Sequence, residues 1–181
     1  MAAFGLFAKD YSVSELKENF YNKQSEIYEL RDYYNSIVPK DRFVEIEFDD
    51  KNTLGRFGIM TVDSITGRSG KSLFLDWDLK TDSEKVDSLL KTINWTKKTL
   101  KEIKSRLDNA NCIEIESGEP TKIGFKRSGM GMYFFNVFKN PIPDSLIINY
   151  NDSCTYIYVN KNLVLEYGGG AIGPQCFYDF D

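Results

Sequence analysis

Val-Glu-Ile-Glu at residues 44–47 and Ile-Glu-Ile-Glu at residues 113–116 are the two segments that decide the fold of this chain. They are 113 − 44 = 69 residues apart, and two capping-box motifs that begin at Ser12 and Thr81 have the same spacing, since 81 − 12 = 69. Arg-Phe-Gly-Ile at residues 56–59 also returns, as Lys-Ile-Gly-Phe, after 122 − 56 = 66 residues. A repeat at a nearly fixed distance indicates that one structural unit occurs twice.

Each copy of the unit is predicted to consist of one helix and three strands. Apolar residues follow a helical period over residues 12–37, and again from the Thr81 cap to Leu107. After each helix come three short segments separated by turn residues, which predicts antiparallel strands. These predicted strands cover residues 43–48, 56–62 and 71–77 in the first copy and 112–116, 121–127 and 132–138 in the second.

The rest of the chain reads as an extension of the sheet, with predicted strands at residues 145–149, 154–159 and 163–167. We therefore expect the α+β class, with two αβββ-like repeat units whose antiparallel meanders pack on two helices, and with a C-terminal β extension. The expected domain organisation is a single domain over residues 1–181, with repeat halves 12–79 and 81–140 and the extension at 141–181.

Composition excludes several classes of function. The 181 residues are 41% hydrophobic, which suffices for a sizeable core, and the net charge of −4 disfavours a nucleic-acid partner. No apolar run approaches the roughly 20 residues of a membrane span, so we expect no membrane partner. The chain contains no histidine, which excludes Ser-His-Asp and Cys-His pairs and histidine-containing metal sites. We expect no cofactor.

The cysteines indicate a reducing compartment. Cys112, Cys154 and Cys176 are odd in number and show no Cys-x-x-Cys spacing, so all three are expected to be reduced. The apolar N-terminal run ends at Lys9 and Asp10, before a signal-peptide core could form. Both observations predict a cytoplasmic protein.

Two pairs of glutamates form the first candidate site. Glu45 and Glu47, like Glu114 and Glu116, are two residues apart and therefore lie on one face of their predicted strands. Such pairs could hold a divalent cation. Because the intervening residues are Val and Ile, we favour a solvated polar face opposite a core face.

Two turns with the sequence Arg-Ser-Gly form the second candidate site. Residues 67–72 end like a phosphate-binding P-loop, but Ile65 stands where that motif requires its first glycine, and a polar hairpin turn is favoured. The same tripeptide recurs at residues 127–129. The alternative is that Arg68 and Arg127 contact an anion.

The candidate contact surface lies near the C-terminus, where Tyr156 and Tyr158 alternate with Ile157 and Val159 and form an aromatic stripe. The glycine-rich segment that follows contains further candidate binding residues, which are Glu166, Tyr167, Gly168, Gly169, Gly170 and Gln175. At least one of its consecutive glycines is expected to have a positive φ. The alternative is an irregular end segment that packs across the sheet.

We expect a small, non-catalytic protein-binding module with a protein partner, and its most concrete form is an inhibitor or immunity protein that neutralises a toxin. One alternative is a carboxylate-based or divalent-metal-dependent enzyme, with Glu166 and Asp76 as acids and Tyr167 as proton donor. Another is a small-ligand-binding protein that uses a cleft between the repeat halves, where the two Arg-Ser-Gly turns would meet. Whether the protein is an enzyme is left open, with the non-catalytic interpretation favoured.

Overall fold

The computed structural model describes residues 9–63, 69–169 and 172–178. Within these ranges lie four α-helices, one 3₁₀ helix and eight β-strands. The helices are α1 Val13–Asn22, α2 Gln24–Ile37, α3 Glu84–Thr92, α4 Lys97–Asn109 and the 3₁₀ helix Asp144–Tyr150. The strands are β1 Arg42–Phe48, β2 Thr53–Val62, β3 Ser69–Lys80, β4 Glu114–Glu116, β5 Thr121–Ser128, β6 Gly131–Val137, β7 Tyr156–Asn160 and β8 Leu163–Gly168.

All eight strands belong to one sheet with the order β3-β2-β1-β4-β5-β6-β8-β7, and every neighbouring pair is antiparallel. The α+β class is therefore confirmed. At the middle of the order, β1 pairs with β4 so that Ile46 lies opposite Ile115, with Glu45 opposite Glu116 and Glu47 opposite Glu114. Strands β3 and β7 form the two edges of the sheet.

The core lies between the four α-helices and one face of the sheet. Buried residues from every α-helix and from strands on both sides of the β1–β4 pair form one hydrophobic cluster. The Tyr34 hydroxyl on α2 donates a hydrogen bond of 3.2 Å to the Val44 carbonyl oxygen, and Phe20 on α1 contacts the Phe135 ring edge to face. Alternation in the strands directs Val44, Ile46 and Phe135 into this cluster and their neighbours to the opposite face.

The prediction of one helix over residues 12–37 is wrong, because Lys23 separates α1 from α2. The Ser12 capping box is confirmed, since the Glu15 amide donates to the Ser12 hydroxyl at 3.1 Å and Glu15 accepts from the Ser12 amide. At Lys23 the backbone has φ −119° and ψ 18°. The Lys23 amide donates to the carbonyl oxygens of Asn19 and Phe20, which ends α1. Each shorter helix buries its own apolar side chains.

The second predicted helix is also two helices, and its cap is Ser83 rather than Thr81. The Ser83 hydroxyl accepts from the Val86 amide at 3.3 Å. Between α3 and α4, Asn94 adopts a left-handed φ of 57°, and Trp95 becomes buried with its indole N–H donating to the Ile37 carbonyl oxygen at 2.9 Å. This contact with the end of α2 explains why the chain leaves the helical path here.

Residues 145–149 are not a strand, as predicted, but part of the 3₁₀ helix Asp144–Tyr150. The Leu146 amide donates to the Pro143 carbonyl oxygen at 2.9 Å, which closes a helical turn directly after the proline. Tyr150 then packs against Phe138 with ring centroids 5.2 Å apart. A run of three apolar residues, Leu146 to Ile148, fits a strand or a helical turn equally well, and here packing decides.

Cys154 and Cys176 form a disulfide, so the prediction of three reduced cysteines is wrong for this pair. Cys112 is a free, buried thiol, and burial raises its pKa to about 12. The fold brings the two bonded residues together because the Phe177 amide donates to the Cys154 carbonyl oxygen at 3.0 Å, while the Phe177 ring packs on Tyr133 and Tyr167. A spacing of 22 residues does not reveal such a contact.

Candidate functional site

The sheet face opposite the core carries two rows of side chains that cross all eight strands. We call it the glutamate face. One row runs from β3 to β7 as Leu75, Gly58, Glu45, Glu116, Lys122, Asn136, Val164 and Tyr158. The other runs as Trp77, Arg56, Glu47, Glu114, Gly124, Phe134, Glu166 and Tyr156.

The glutamates at the centre of this face are buried, and the expectation of a solvated polar face is wrong for them. Glu45 is 4% exposed, and Glu47 and Glu114 are 1% exposed, while Glu116 is half-buried. Alternation correctly assigned these residues to the face opposite the core. It could not show that long side chains from neighbouring strands cover them, because cover depends on the order of the strands.

Two glycines make room for two of the glutamates. A Cβ atom on Gly58 would lie 2.5 Å from Glu45 Oε1, and a Cβ atom on Gly124 would lie 2.7 Å from Glu114 Cβ. Each of these glycines is the direct cross-strand partner of the glutamate that it accommodates. A side chain at either position would occupy the space in which the neighbouring glutamate now lies.

Charged partners fix three of the carboxylates. Arg56 binds Glu45 through two hydrogen bonds of 2.9 and 2.7 Å. Arg127 binds Glu47 in the same bidentate manner, with Nε 2.6 Å from Oε1. Such paired hydrogen bonds are the strongest form of the interaction. Lys122 donates to Glu166 at 2.8 Å, and Asn136 satisfies the second oxygen of that carboxylate at 2.9 Å.

Glu114 differs from its neighbours because Glu114 Oε1 is buried without a hydrogen-bond partner among the described residues. Carboxylate oxygens of Glu45, Glu114 and Glu116 all lie within 4.8 Å of one another, and we call these three residues the Glu114 cluster. Burial, and then the charges of Glu116 and Glu47, raise the pKa of Glu114 well above its ordinary value. Burial also raises the pKa of Glu116, against the opposing effect of Lys122.

Tyr156 and Tyr158, the predicted contact residues, end the two rows of the glutamate face on β7 and are both half-buried. The rings of Tyr156 and Tyr150, the latter in the 3₁₀ helix, meet edge to face with centroids 6.2 Å apart. The Tyr156 backbone amide donates to Asp152 Oδ1 at 2.8 Å. Glu166 belongs to the same face and is held by Lys122. Their role in binding a partner stays a prediction.

The C-terminal segment folds back across the end of the sheet. Tyr167 points to the core side, where it stacks on Tyr133 at 4.1 Å, and the Gln175 amide donates to the Tyr167 carbonyl oxygen at 3.1 Å. The expected positive φ is confirmed, with 148° at Gly168 and 91° at Gly169. A Cβ atom on Gly168 would lie 2.8 Å from the Gly173 carbonyl oxygen, so its lack of a side chain permits this close crossing.

Two of the predicted binding residues, Arg68 and Gly170, lie outside the described residues. The strand register places the described parts of the two Arg-Ser-Gly turns at opposite ends of the strands, since Ser69 pairs with Val62 near the start of β1 and Arg127 reaches Glu47 near its end. The described parts of the two turns therefore do not form a common cleft.

The three residues suggested for an enzyme also lie apart. Asp76 forms an ion pair with Lys85 of α3, on the opposite side of β3 from Leu75 and Trp77. Tyr167 and Glu166 are consecutive in β8 and point to opposite faces. Of this trio, Glu166 alone belongs to the glutamate face.

Charged side chains line two cavities of the protein. One of about 320 Å³ is bordered by Glu116, Lys122 and Glu166 of the glutamate face and by the rings of Tyr150 and Tyr156. The other, of about 630 Å³, lies beside α4, and four lysines contribute to its wall, which are Lys51, Lys97, Lys101 and Lys104. The sequence shows the lysines of α4 but not the depression beside them.

The feature that the sequence analysis missed is an apolar strip on the edge strand β3. Leu73, Leu75 and Trp77 alternate along one side of this strand and are 51%, 40% and 53% exposed. The sequence predicted a strand over residues 71–77, and the exposure of these three side chains was not predicted. The side chains remain exposed because β3 has no neighbouring strand on its outer side within the described residues.

None of the helices in the described ranges combines the length and apolar character that a membrane crossing requires. Comparison of the chain with protein-family models, with curated proteins and with solved structures gives no match. The geometry described above is therefore the basis on which a function is proposed.

Proposed function

We propose that the protein is a binding module that recognises another protein through the apolar strip Leu73, Leu75 and Trp77. The observation that carries the proposal is the exposure of three large apolar side chains in one row of an edge strand. Contiguous apolar surface of this kind is a mark of interaction sites on proteins. Tryptophan is also enriched among the residues that dominate binding energy at interfaces.

The partner that fits this edge offers an extended segment with apolar side chains at alternate positions. Strand β3 runs from Ser69 to Lys80, and the described residues place no strand on its outer side. A segment that adds to this edge would form main-chain hydrogen bonds, while its apolar side chains would cover Leu75 and Trp77. An unprotected edge of this length is otherwise a site of aggregation.

The concrete form that we propose is an inhibitor or immunity protein whose toxin docks on the apolar strip. This identity rests on the sequence composition, and the strip supplies the surface that it requires. The cytoplasmic location inferred from the sequence stays a prediction. The Cys154–Cys176 disulfide favours an oxidising compartment instead, because cytosolic reductants keep most thiols reduced.

We also propose that residues 12–79 and 81–140 are two copies of one unit. The order of elements supports this, since two helices and three strands occur in each segment, in the order α1-α2-β1-β2-β3 and α3-α4-β4-β5-β6. In the sheet, β1 and β4 lie side by side and the other strands follow outward on either side. A superposition that failed to align β1–β3 with β4–β6 would contradict the duplication.

The binding proposal is tested by affinity purification of the tagged chain from its native host. The wild type is compared with a Leu75→Ser, Trp77→Ser double variant and with Tyr178→Ser, a control that changes another exposed aromatic residue. We expect the wild type and the control to retain a stoichiometric partner that the double variant loses. Hydrogen exchange of the complex should slow along residues 71–77.

Three results would contradict the binding proposal. The first is a partner that the double variant retains, and the second is exchange protection confined to β7. The third is a wild-type homodimer in light scattering that the double variant abolishes, since the apolar strip would then be covered by a second copy of this chain.

A carboxylate-based enzyme is a second candidate, favoured by the position of the half-buried Glu116 beside the cavity of about 320 Å³. Its raised pKa would allow it to carry a proton above the usual range for glutamate. A panel of hydrolase substrates is the appropriate test. Activity that Glu116→Gln loses and Glu102→Gln retains would support this candidate, and inactivity of the wild type across the panel would count against it.

A further inference from the structure

The Glu114 cluster contains a buried carboxylate oxygen that lacks a hydrogen-bond partner. Glu114 is 1% exposed, and its Oε1 atom meets no donor among the described residues. Leaving a buried polar atom unpaired costs about 1–3 kcal/mol, and more when the group is charged. An atom in this state can be satisfied by a proton on the carboxyl group, by a bound water molecule that donates to it, or by a cation that accepts its lone pairs.

The charges of the glutamate face do not balance. Glu45, Glu47, Glu114, Glu116 and Glu166 supply five carboxylates, whereas Arg56, Lys122 and Arg127 supply three cations. Two negative charges therefore remain without a matching cation in this set when every group is ionised. One divalent cation would supply the missing charge.

The spacing of the oxygens fits a calcium ion. Two oxygens bound to one ion cannot lie farther apart than twice the metal–oxygen distance. Ca²⁺–O distances are about 2.3–2.6 Å, so oxygens up to about 5 Å apart can share a Ca²⁺ ion, whereas Mg²⁺–O distances near 2.1 Å restrict that separation to about 4.2 Å. The oxygens of the Glu114 cluster lie within 4.8 Å of one another, which is inside the limit for Ca²⁺. The number of ligands favours Ca²⁺ over Mg²⁺, because Mg²⁺ usually keeps several water molecules and binds one or two carboxylates, whereas three carboxylates meet here.

We propose that Glu45, Glu114 and Glu116 bind one Ca²⁺ ion across the β1–β4 pair, with Glu114 Oε1 as a central ligand. Three carboxylates with added water molecules satisfy the preference of Ca²⁺ for oxygen ligands. Arg56 leaves Glu45 capable of ligation, because each carboxylate oxygen has two lone pairs and Arg56 uses one on each. The proposal is independent of the apolar strip, and it departs from the sequence-based expectation that no cofactor is bound.

The test is calorimetric titration of CaCl₂ into protein that has been freed of metal with a chelator, at pH 7.5 and 150 mM salt. We expect one Ca²⁺ per chain and a rise of several degrees in the midpoint of thermal unfolding. Glu114→Gln keeps the size of the side chain, removes its charge, and should weaken binding at least tenfold. Glu102→Gln on the exposed face of α4 is the matched control and should bind as the wild type does.

If Glu114→Gln does not fold, Glu116→Gln replaces it, since Glu116 is half-buried and its loss is better tolerated. Three outcomes would overturn the proposal. These are the absence of calcium heat and of a stability shift in the wild type, equal weakening in Glu102→Gln, and binding of MgCl₂ in preference to CaCl₂. With the first outcome, a proton on Glu114 is distinguished from a bound water molecule by stability, since a protonated Glu114 predicts that Glu114→Gln is at least as stable as the wild type.

Discussion

The two edges of the sheet are treated differently by the chain. At the β7 edge, the 3₁₀ helix packs Tyr150 against Tyr156, and the Cys154–Cys176 disulfide ties the adjoining loop to the C-terminal segment. At the β3 edge, Leu73, Leu75 and Trp77 are exposed, and no described element covers them. Among the described residues, the chain covers the β7 edge and leaves the β3 edge uncovered. We therefore propose that recognition occurs at β3, although the sequence had directed attention to the tyrosines of β7.

The largest effect on stability is expected from removal of the disulfide at the β7 edge. The bond closes a loop across 22 residues, and loops of this size contribute about 3 kcal/mol to the free energy of unfolding. A Cys154→Ser, Cys176→Ser variant should lose about this amount in urea denaturation. It should still bind its partner through β3. Loss of binding in a variant that remains folded would contradict the division between the two edges.

A smaller loss of stability is expected from Gly58→Ala, which changes a residue of the glutamate face on β2, next to β3. The new methyl group would lie 2.5 Å from Glu45 Oε1, so the Arg56–Glu45 pair must shift, and overpacking of this kind costs about 1–3 kcal/mol. Gly55→Ala on the same strand is the control. Its methyl group would meet the exposed Asp49 side chain, which can move away, so urea denaturation should show a smaller loss there.

The contribution of Glu114 and Glu116, at the centre of the sheet, to folding stability should decrease as the pH rises. Raised pKa values at Glu114 and Glu116 mean that the folded protein retains protons that the unfolded chain has released. Their contribution to stability is therefore present below the ordinary value of 4.5 and is lost as the pH rises toward the folded values. In cation-free buffer, the stability of the wild type relative to Glu114→Gln should fall as the pH rises. A difference independent of pH would contradict the proposed environment of Glu114.

The smallest effect is expected from Tyr158→Ala at the protected edge. If recognition occurs at β3, this change should alter partner affinity less than about threefold, because residues outside the centre of an interface contribute little. Surface plasmon resonance with the purified partner would measure the change. A large loss, with the fold intact by circular dichroism, would return the binding surface to the tyrosine stripe.

Local patterns in the sequence predicted most of the strands and the start of α1, but not the breaks within the two predicted helices or the 3₁₀ helix at Asp144–Tyr150. Alternation over residues 43–48 and the Ser12 capping box identified β1 and the start of α1. What the sequence does not show is which residues become neighbours across strands. The burial of Glu45 follows from its position opposite Gly58, and the disulfide follows from the return of Phe177 to the core. The exposure of Trp77 likewise depends on β3 lying at an edge, which is a property of the strand order alone.

The register at the middle of the sheet has a consequence for symmetry. In the proposed duplication Glu45 corresponds to Glu114, and Glu47 corresponds to Glu116. In the sheet Glu45 lies opposite Glu116 and Glu47 lies opposite Glu114, so each glutamate faces the equivalent of the other. This reciprocal exchange is the mark of an isologous contact, the form in which two identical subunits meet in a two-fold dimer. Under the proposed duplication, the β1–β4 pair would have the geometry of a two-fold dimer interface within one chain. The proposed ion breaks this reciprocity, because its three ligands are one glutamate of β1 and two of β4, and the two halves would therefore hold it unequally.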